Sequence, residues 1–442
     1  MAASTASSDL RGRTIPDKLV VTGGARLEGD VAIPGAKNAI LPIMAACLLT
    51  DEPCHLTNVP LIEDVRIMAA LLRGLGAEVD LDRKRHELSI SASRITSFEA
   101  DSKLVTEMRA SFLVAGPLLV RFGRFDCVHP GGCAIGIRPV NVDIHGFRSM
   151  GATILIDDNC YNASAKKLTG TRIYLDYPSH TGTENLVMAA CLAAGSTTIV
   201  HASREPEVLE LVRFLRSMGA KISGEGTSVV KVDGSSGLRG TSFKIMPDRV
   251  AAGTLAIAGS ICGGEVELTN VLPEMLEPVL YKLRAAGVHT SVTDRSLIVR
   301  SDGDLRGTEV QSMPYPGFPS DNQAAMGALL TQASGTSVIV ERVFEDRFSY
   351  VESLRKLGAD IMLKANRAIV NGPTRLKGTE LSVENDLRAG SALILAGLVA
   401  DGETTIHDAR YIYRGFESLA DDLTHLGAKV EASTFVESLV PA

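Results

Sequence analysis

The octet LRGLGAEV (72–79) returns in altered form as FRSMGATI (147–154), LRSMGAKI (215–222), LRAAGVHT (283–290), LRKLGADI (354–361) and LTHLGAKV (423–430). Its glycine falls at 76, 151, 219, 287, 358 and 427, so successive copies lie 75, 68, 68, 71 and 69 residues apart. Self-similarity at a near-constant period marks a chain built from one supersecondary unit repeated. The glycine stands where a helix ends in left-handed backbone. The residues before it form a helix with Arg, Lys and Glu on one face.

About 35 residues upstream of each octet lies a second signature, an Ala-rich apolar helix running through a turn into a β-branched strand. Examples are NLVMAACLAAGSTTIVHA (185–202), TLAIAGSICGGEVELTNV (254–271) and SALILAGLVADGETTIHDA (391–409). A helix apolar nearly all round belongs inside the protein, and TTIV, EVELT and TTIH read as strands. The unit is therefore a mixed α/β module with two helices and about four strands, present six times. All-round apolar helices fit a closed core better than an open solenoid. A chain of 442 residues exceeds one compact core, so the units divide as two domains of three. Residues 1–36 form an N-terminal tail and a strand joining the second domain, 37–244 the first domain and 245–442 the second. Two chain crossings should connect the halves.

A net charge of −7 argues against nucleic acid or an anionic membrane as the main partner. Cys47, Cys54, Cys127, Cys133, Cys160, Cys191 and Cys262 are scattered, with no C-x-x-C pair, which reads as free thiols in a reducing compartment. The apolar run 40–49 is too short to span a bilayer. The polar start, MAASTASSDLRGRTIPDK, lacks a signal-peptide core and is expected to be disordered, so a cytoplasmic location is expected. The histidines lack metal-site spacing, and no cofactor or obligate protein partner is called for.

Just before the buried helices stand residues that a core does not need: Lys37 and Asn38, Glu107 and Arg109, Thr183 and Glu184, Asp248 and Arg249, Asp321 and Asn322, Asp386 and Arg388. Asp and Asn are also ordinary N-caps. Cations at N-termini are not, because the helix dipole disfavours them there; they point to an anion held between converging helix starts. The stretch HPGGCAIGIRP (129–139) adds Cys133 in a glycine loop that could close like a lid.

GAKNAILP, MRAS, PGGCAIGIRPV, SREPEV, PDR, FPSDNQA, DLRA and RGFE occur in this order, and over 18–431 the chain resembles the enolpyruvyl transferases, in the branch that acts on UDP-N-acetylglucosamine. The resemblance implies an inside-out α/β prism of two domains with three repeats each. It implies transfer of enolpyruvyl from phosphoenolpyruvate to the 3-hydroxyl of UDP-N-acetylglucosamine with release of phosphate, the first committed step of peptidoglycan precursor synthesis. It assigns catalysis to Cys133, Asp321, Lys37 and Asp386. It assigns substrate binding to Asn38, Arg109, Arg138, Pro139, Val140, Asn141, Val142, Ser179, His180, Thr181, Phe344, Arg388 and Arg414. SREPEV is given no chemistry. Domain closure is expected on binding the nucleotide-sugar, with the Cys133 loop folding down.

The phosphoenolpyruvate residues match the family pattern, but Asn141, Asp143, Tyr177, His180, Ala251 and Tyr411 depart from it on the nucleotide side. The alternatives are transfer to another acceptor, such as uridine monophosphate in specialised nucleoside-antibiotic metabolism, and a non-catalytic nucleotide-sugar sensor.

Overall fold

The computed structural model describes residues 15–133, 135–136 and 139–433; the rest of the polar tail and Arg138 lie outside the described residues. The repeated octet is a corner. In all six copies the glycine has φ between 94° and 106°. Its N–H returns to the carbonyl three residues back, and the next N–H to the carbonyl five back, as in Gly76 to Arg73 at 2.9 Å and Ala77 to Leu72 at 3.0 Å. This double closure satisfies the carbonyls a helix leaves open at its end. The arginine of the octet then pins the strand that follows. Arg73 donates to the carbonyl of Val79 at 2.7 Å, Arg148 to Ile154 at 2.8 Å, Arg216 to Ile222 at 2.6 Å and Arg355 to Ile361 at 2.8 Å. The same turn thus closes all six helices, and in four of them the arginine ties it to the following strand.

Among the described residues the strands form six small sheets, five of four strands and one of three. The apolar helices lie inside them: Lys37–Ala46, His180–Ala190, Arg249–Cys262, Ser320–Leu330 and Leu387–Val399 are buried along most of their length. The second unit differs from the expectation of one continuous helix. Its inner segment starts as a 3₁₀ turn, Arg109–Val114, and becomes α-helical only over Ala115–Phe122. Buried apolar side chains gather in two clusters, one drawn from 36–246 and one from 19–33 with 251–428.

The segment read as one N-terminal strand is two. Lys18–Thr22 lies between Glu403–His407 and Lys429–Ser433, antiparallel to both, while Leu27–Ala32 runs parallel to Gly264–Thr269. Leu27–Ala32 thus pairs in the second cluster but leads into the Lys37–Ala46 helix of the first. Ser242–Lys244 does the reverse: it pairs with Cys54–Thr57 and leads into Arg249–Cys262. The two crossing segments bond to each other, Ala36 N–H to Met246 O at 2.8 Å and Asp248 N–H to Pro34 O at 2.9 Å. Lys37 and Asp248 therefore emerge side by side from a single joint.

The corner makes a graded prediction. A Cβ at Gly219 would meet nothing within 4 Å, so Gly219→Ala bears only the left-handed strain, about 1–2 kcal/mol. At Gly76 it would also lie 2.7 Å from the carbonyl oxygen of Arg94 and from Thr96 Oγ1. Gly76→Ala is expected to lower stability to chemical denaturation by clearly more than Gly219→Ala; equal losses would refute this account of the corner.

Candidate active site

The helix starts meet along the seam between the halves. The backbone N–H of Lys37 donates to Asp248 Oδ2 at 2.9 Å, while Asp248 Oδ1 caps the next half's first helix by accepting from Val250 and Ala251. Lys37 Nζ sits 3.0 Å from Asp64 Oδ2, and Arg414 Nε donates to Asp64 Oδ1 at 3.0 Å. The far side of that guanidinium reaches Cys133, with Nη1 at 3.6 Å from Sγ. Residues 37, 64, 133 and 414 thus form one connected group. Burial drives the Asp64 carboxyl upward, but Lys37 and Arg414 outweigh it and hold it below the usual carboxylate range.

A second carboxylate organises the adjoining group. Asp321 accepts from Arg347 Nη2 at 2.8 Å and from Arg388 Nη2 at 2.9 Å, and Asn38 Nδ2 lies 3.4 Å from its Oδ2. Burial again pushes the carboxyl up, and Arg388, Arg347 and Lys37 outweigh it, so Asp321 stays well below its ordinary value. Asp386 is the N-cap of Leu387–Val399, accepting from Arg388 N–H at 2.9 Å, with its other oxygen 3.7 Å from Arg347 Nη1. The acids at the helix starts are thereby sorted. Asp248 and Asp386 are caps; Asp321 is not. Its side chain is 27% exposed, whereas those of Asp64 and Asp386 are 2% and 1% exposed. Asp321 is the one of these three that a ligand in the seam can touch, and Asp386 stands behind it.

The remaining candidates form a third group. Ser179 caps His180–Ala190 by accepting from Gly182 N–H at 3.1 Å. Val142 at the start of Asn141–Ser149 packs so closely here that a Cβ on Gly182 would lie 2.6 Å from its Cγ1. Asn141, Val142, Ser179, His180 and Thr181 thus come from two adjacent helix starts; Pro139 is exposed and Val140 buried. Asp143 is pushed up to about 6 by burial, which the bond from Asn185 Nδ2 at 2.9 Å offsets only in part. His180 turns its Nε2 to Glu184 Oε1 at 3.1 Å. Phe344 lies under the Arg347 guanidinium, 5.7 Å from ring centroid to Cζ. Arg109 sits at the root of the Cys133 loop, its Nη1 3.5 Å from the carbonyl of Pro130, and not in the Asp321 group.

The loop itself is folded against the second half. Asn385 Nδ2 lies 3.4 Å from the carbonyl of Gly132, and Asp346 N–H donates to Ile135 O at 3.3 Å. Gly131 serves packing as much as freedom, since a Cβ there would fall 1.9 Å from Thr106 O.

Two readings of the sequence are corrected. The helix-start cation Arg249 is held by the protein's own carboxylates, through Nε to Glu207 Oε1 at 2.9 Å, Nη2 to Glu207 Oε2 at 3.0 Å and Nη2 to Glu205 Oε2 at 2.6 Å. SREPEV, given no chemistry, is what supplies them. Asp64, Arg347, Glu205 and Glu207 were absent from the sequence-based set. Asp64 has the look of any first-turn acid of an amphipathic helix, and its only local signal is that its side chain falls on the buried face of Glu63–Leu75. Among the described residues no group of three or more His, Cys, Asp or Glu could hold a metal ion, and no helix is long and apolar enough to cross a membrane.

Removing the Asp64 charge strands two buried cations. Asp64→Asn is expected to destabilise by about 3–5 kcal/mol at pH 7, the range for breaking a buried ion pair by deleting one partner. The folded pKa of Asp64 is depressed, so its stabilisation is present above the unfolded value near 4 and disappears as pH falls through the folded value. Denaturant titrations should show the wild-type advantage shrinking below pH 4; a pH-independent difference would contradict this.

Comparison with known proteins identifies the family. The model of the EPSP synthase family (3-phosphoshikimate 1-carboxyvinyltransferase) matches residues 21–423. The chain is 43% identical over 413 residues to UDP-N-acetylglucosamine 1-carboxyvinyltransferase 1 of Caldanaerobacter subterraneus subsp. tengcongensis, covering 93% of this chain and 99% of that protein. It is 45% identical over 417 residues to UDP-N-acetylglucosamine 1-carboxyvinyltransferase 2 of Carboxydothermus hydrogenoformans, covering 94% and 99%. The crystal structure of the enolpyruvyl transferase NikO from Streptomyces tendae superposes with a TM-score of 0.86 at 25% identity, over 95% of this chain and all of that one. With its fold and nearly its whole length matched, this chain belongs to the EPSP synthase family of carboxyvinyltransferases, on the side of the UDP-N-acetylglucosamine 1-carboxyvinyltransferases.

Proposed function

We propose that this enzyme transfers the enolpyruvyl group of phosphoenolpyruvate to the 3-hydroxyl of UDP-N-acetylglucosamine and releases inorganic phosphate, opening peptidoglycan precursor synthesis in the cytoplasm. The observation that carries the reading is the convergence of Lys37, Cys133, Asp321, Arg388 and Arg414, each from a different element, on one seam in a chain 43–45% identical to carboxyvinyltransferases of that name. A substrate bearing a carboxylate and a phosphate needs several fixed cations, and a closed seam strengthens each of them.

The reaction is addition followed by elimination. C3 of phosphoenolpyruvate takes a proton while the acceptor oxygen loses its own and bonds to C2. The C2–O bond to phosphate then breaks, C3 gives its proton back and the double bond reforms. Cys133, at the tip of the closed loop beside Arg414, is assigned the C3 proton or a covalent bond to C2. Asp321, the partly exposed carboxylate, is assigned the acceptor proton. Bound to Arg347 and Arg388 it is a weak base. When the anionic groups of phosphoenolpyruvate share those arginines, their hold on Asp321 weakens and its proton affinity rises. Asp386 acts through Arg347 and Arg388 as a positioning residue. Pro139, Val140, Asn141, Val142, Ser179, His180, Thr181 and Phe344, with Arg138, are assigned to the nucleotide-sugar. Arg109 supports the loop and the incoming anion.

Phosphate release from phosphoenolpyruvate, assayed with UDP-N-acetylglucosamine, uridine monophosphate, UDP-glucose and shikimate 3-phosphate in turn, tests the acceptor. Release is expected with the first. Release with uridine monophosphate alone would overturn the acceptor assignment, and no release with any would overturn the enzyme reading. With the productive acceptor, Cys133→Ala is expected to lower kcat by about 10²–10⁴, the usual worth of a positioned acid.

A further inference from the structure

Two ion-paired groups lie beside each other at His180, and the second of them spans both halves of the molecule. His180 Nε2 lies 3.1 Å from Glu184 Oε1; Glu184 faces Glu205 and Glu207, and both of these hold Arg249 of the other half. Glu184 and Glu207 are each 1% exposed and Arg249 8%. Glu205 also accepts from the backbone N–H of Tyr315 at 2.9 Å, whose ring lies 5.6 Å from the Arg249 guanidinium. The cluster therefore sets three carboxylates against one arginine and one imidazole, at the interface that closes the seam.

The charges around His180 come from every side. Glu184 lies on its own helix, while Glu207 and Glu210 belong to Pro206–Ser217 and Glu205 is the N-cap residue before it. Glu210 is occupied by Met246 N–H at 3.0 Å and Arg213 at 3.4 Å. Asn141–Ser149 contributes Asp143, bound to Asn185, with Arg109 acting on it from the neighbouring turn. The second half contributes Arg249, with Asp321 beyond it.

We propose that His180, as imidazolium, is the counter-charge that lets buried Glu184 stay ionised beside the Glu207–Arg249 pair, and that it thereby positions the Arg249 bridge across the two halves. With His180 neutral, buried Glu184 faces Glu207 uncompensated. Glu184 must then take a proton or push Glu207 away from Arg249. Arg249 follows Asp248, whose carboxylate accepts from the backbone N–H of Lys37, so the bridge is anchored next to the start of the Lys37–Ala46 helix. His180 is thus a positioning residue for closure, an inference that rests on the proposed activity for its kinetic consequences only. Burial works against its charge, but Glu184, Glu207 and Glu205 outweigh it and raise the imidazole to about 9. A raised folded pKa means that the contribution is complete below about pH 6.5 and is lost as pH climbs through about 9.

The test combines ring NMR, scattering and kinetics on the full chain. The His180 ring signal, identified by its loss in His180→Gln, is expected to titrate near 9, and near the ordinary histidine value in Glu184→Gln. Wild type should be compact at pH 7 with UDP-N-acetylglucosamine and expand by pH 9.5, with KM for that acceptor rising roughly tenfold and kcat changing less. His180→Gln should behave at pH 7 as wild type does at pH 9.5, and His180→Lys should restore the low KM and hold it across the range. Absence of turnover with this acceptor would sink the proposed activity while leaving the NMR titration to decide the charge. An ordinary pKa for His180, or a His180→Gln variant with the wild-type pH profile, would overturn the inference.

Discussion

Apolar helices that point their N-termini at one seam bring the positive ends of their dipoles together, and lysine and arginine at those same starts add full charges of the same sign. Each dipole end is worth only about 0.3–1 kcal/mol near the surface, while stranding a buried charge costs about 3–5 kcal/mol. The carboxylates between the starts therefore decide whether the arrangement holds. Asp64 lies between Lys37 and Arg414, Asp321 between Arg347 and Arg388, and Glu207 against Arg249. Each of these acids is buried or in the seam, and each is paired with a cation that another segment of the chain supplies.

The crossing strands explain how two separate apolar clusters share one such seam. Leu27–Ala32 and Ser242–Lys244 each pair in one half and launch the first inner helix of the other. Because the two crossings are hydrogen-bonded to each other, Lys37 and Asp248 are held together at the joint. The Cys133 loop meets the second half through separate contacts, of Gly132 with Asn385, Cys133 with Arg414 and Ile135 with Asp346. A hydrogen-bonded joint beside a loop that bridges the halves by a few contacts is an arrangement that closing active sites use.

The repeated corner was legible in the sequence because it is local. Leu72, Arg73, Gly76 and Val79 interact within eight residues, and nothing distant is needed to make them turn. The helix starts were legible by comparison among copies: a cation at one N-terminus means little, and Lys37, Arg249 and Arg388 at equivalent ones mean more. What could not be read was partnership. Asp64 and Arg414 are 350 positions apart, and Arg347 reaches Asp321 from a loop without periodic pattern. The same limit made Arg249 look like a ligand-binding cation when Glu205 and Glu207, 44 and 42 positions away, already occupy it. Long-range pairing obeys geometry that only the folded chain supplies.

The exposures of the seam carboxylates suggest a division of labour that follows from desolvation alone. Asp64 and Asp386, almost wholly enclosed, gain nothing from a ligand and serve to aim Lys37, Arg414, Arg347 and Arg388. Asp321, partly open, holds two of the same arginines yet is reachable from the seam. An anion arriving there competes with Asp321 for Arg347 and Arg388 but cannot displace Asp64 or Asp386 without burying a stranded charge. The enclosed acids therefore keep the cations in place while the open one yields its share of them. A carboxylate that yields arginine contact gains proton affinity at the moment the anion is bound, which is when a base beside the acceptor hydroxyl becomes useful.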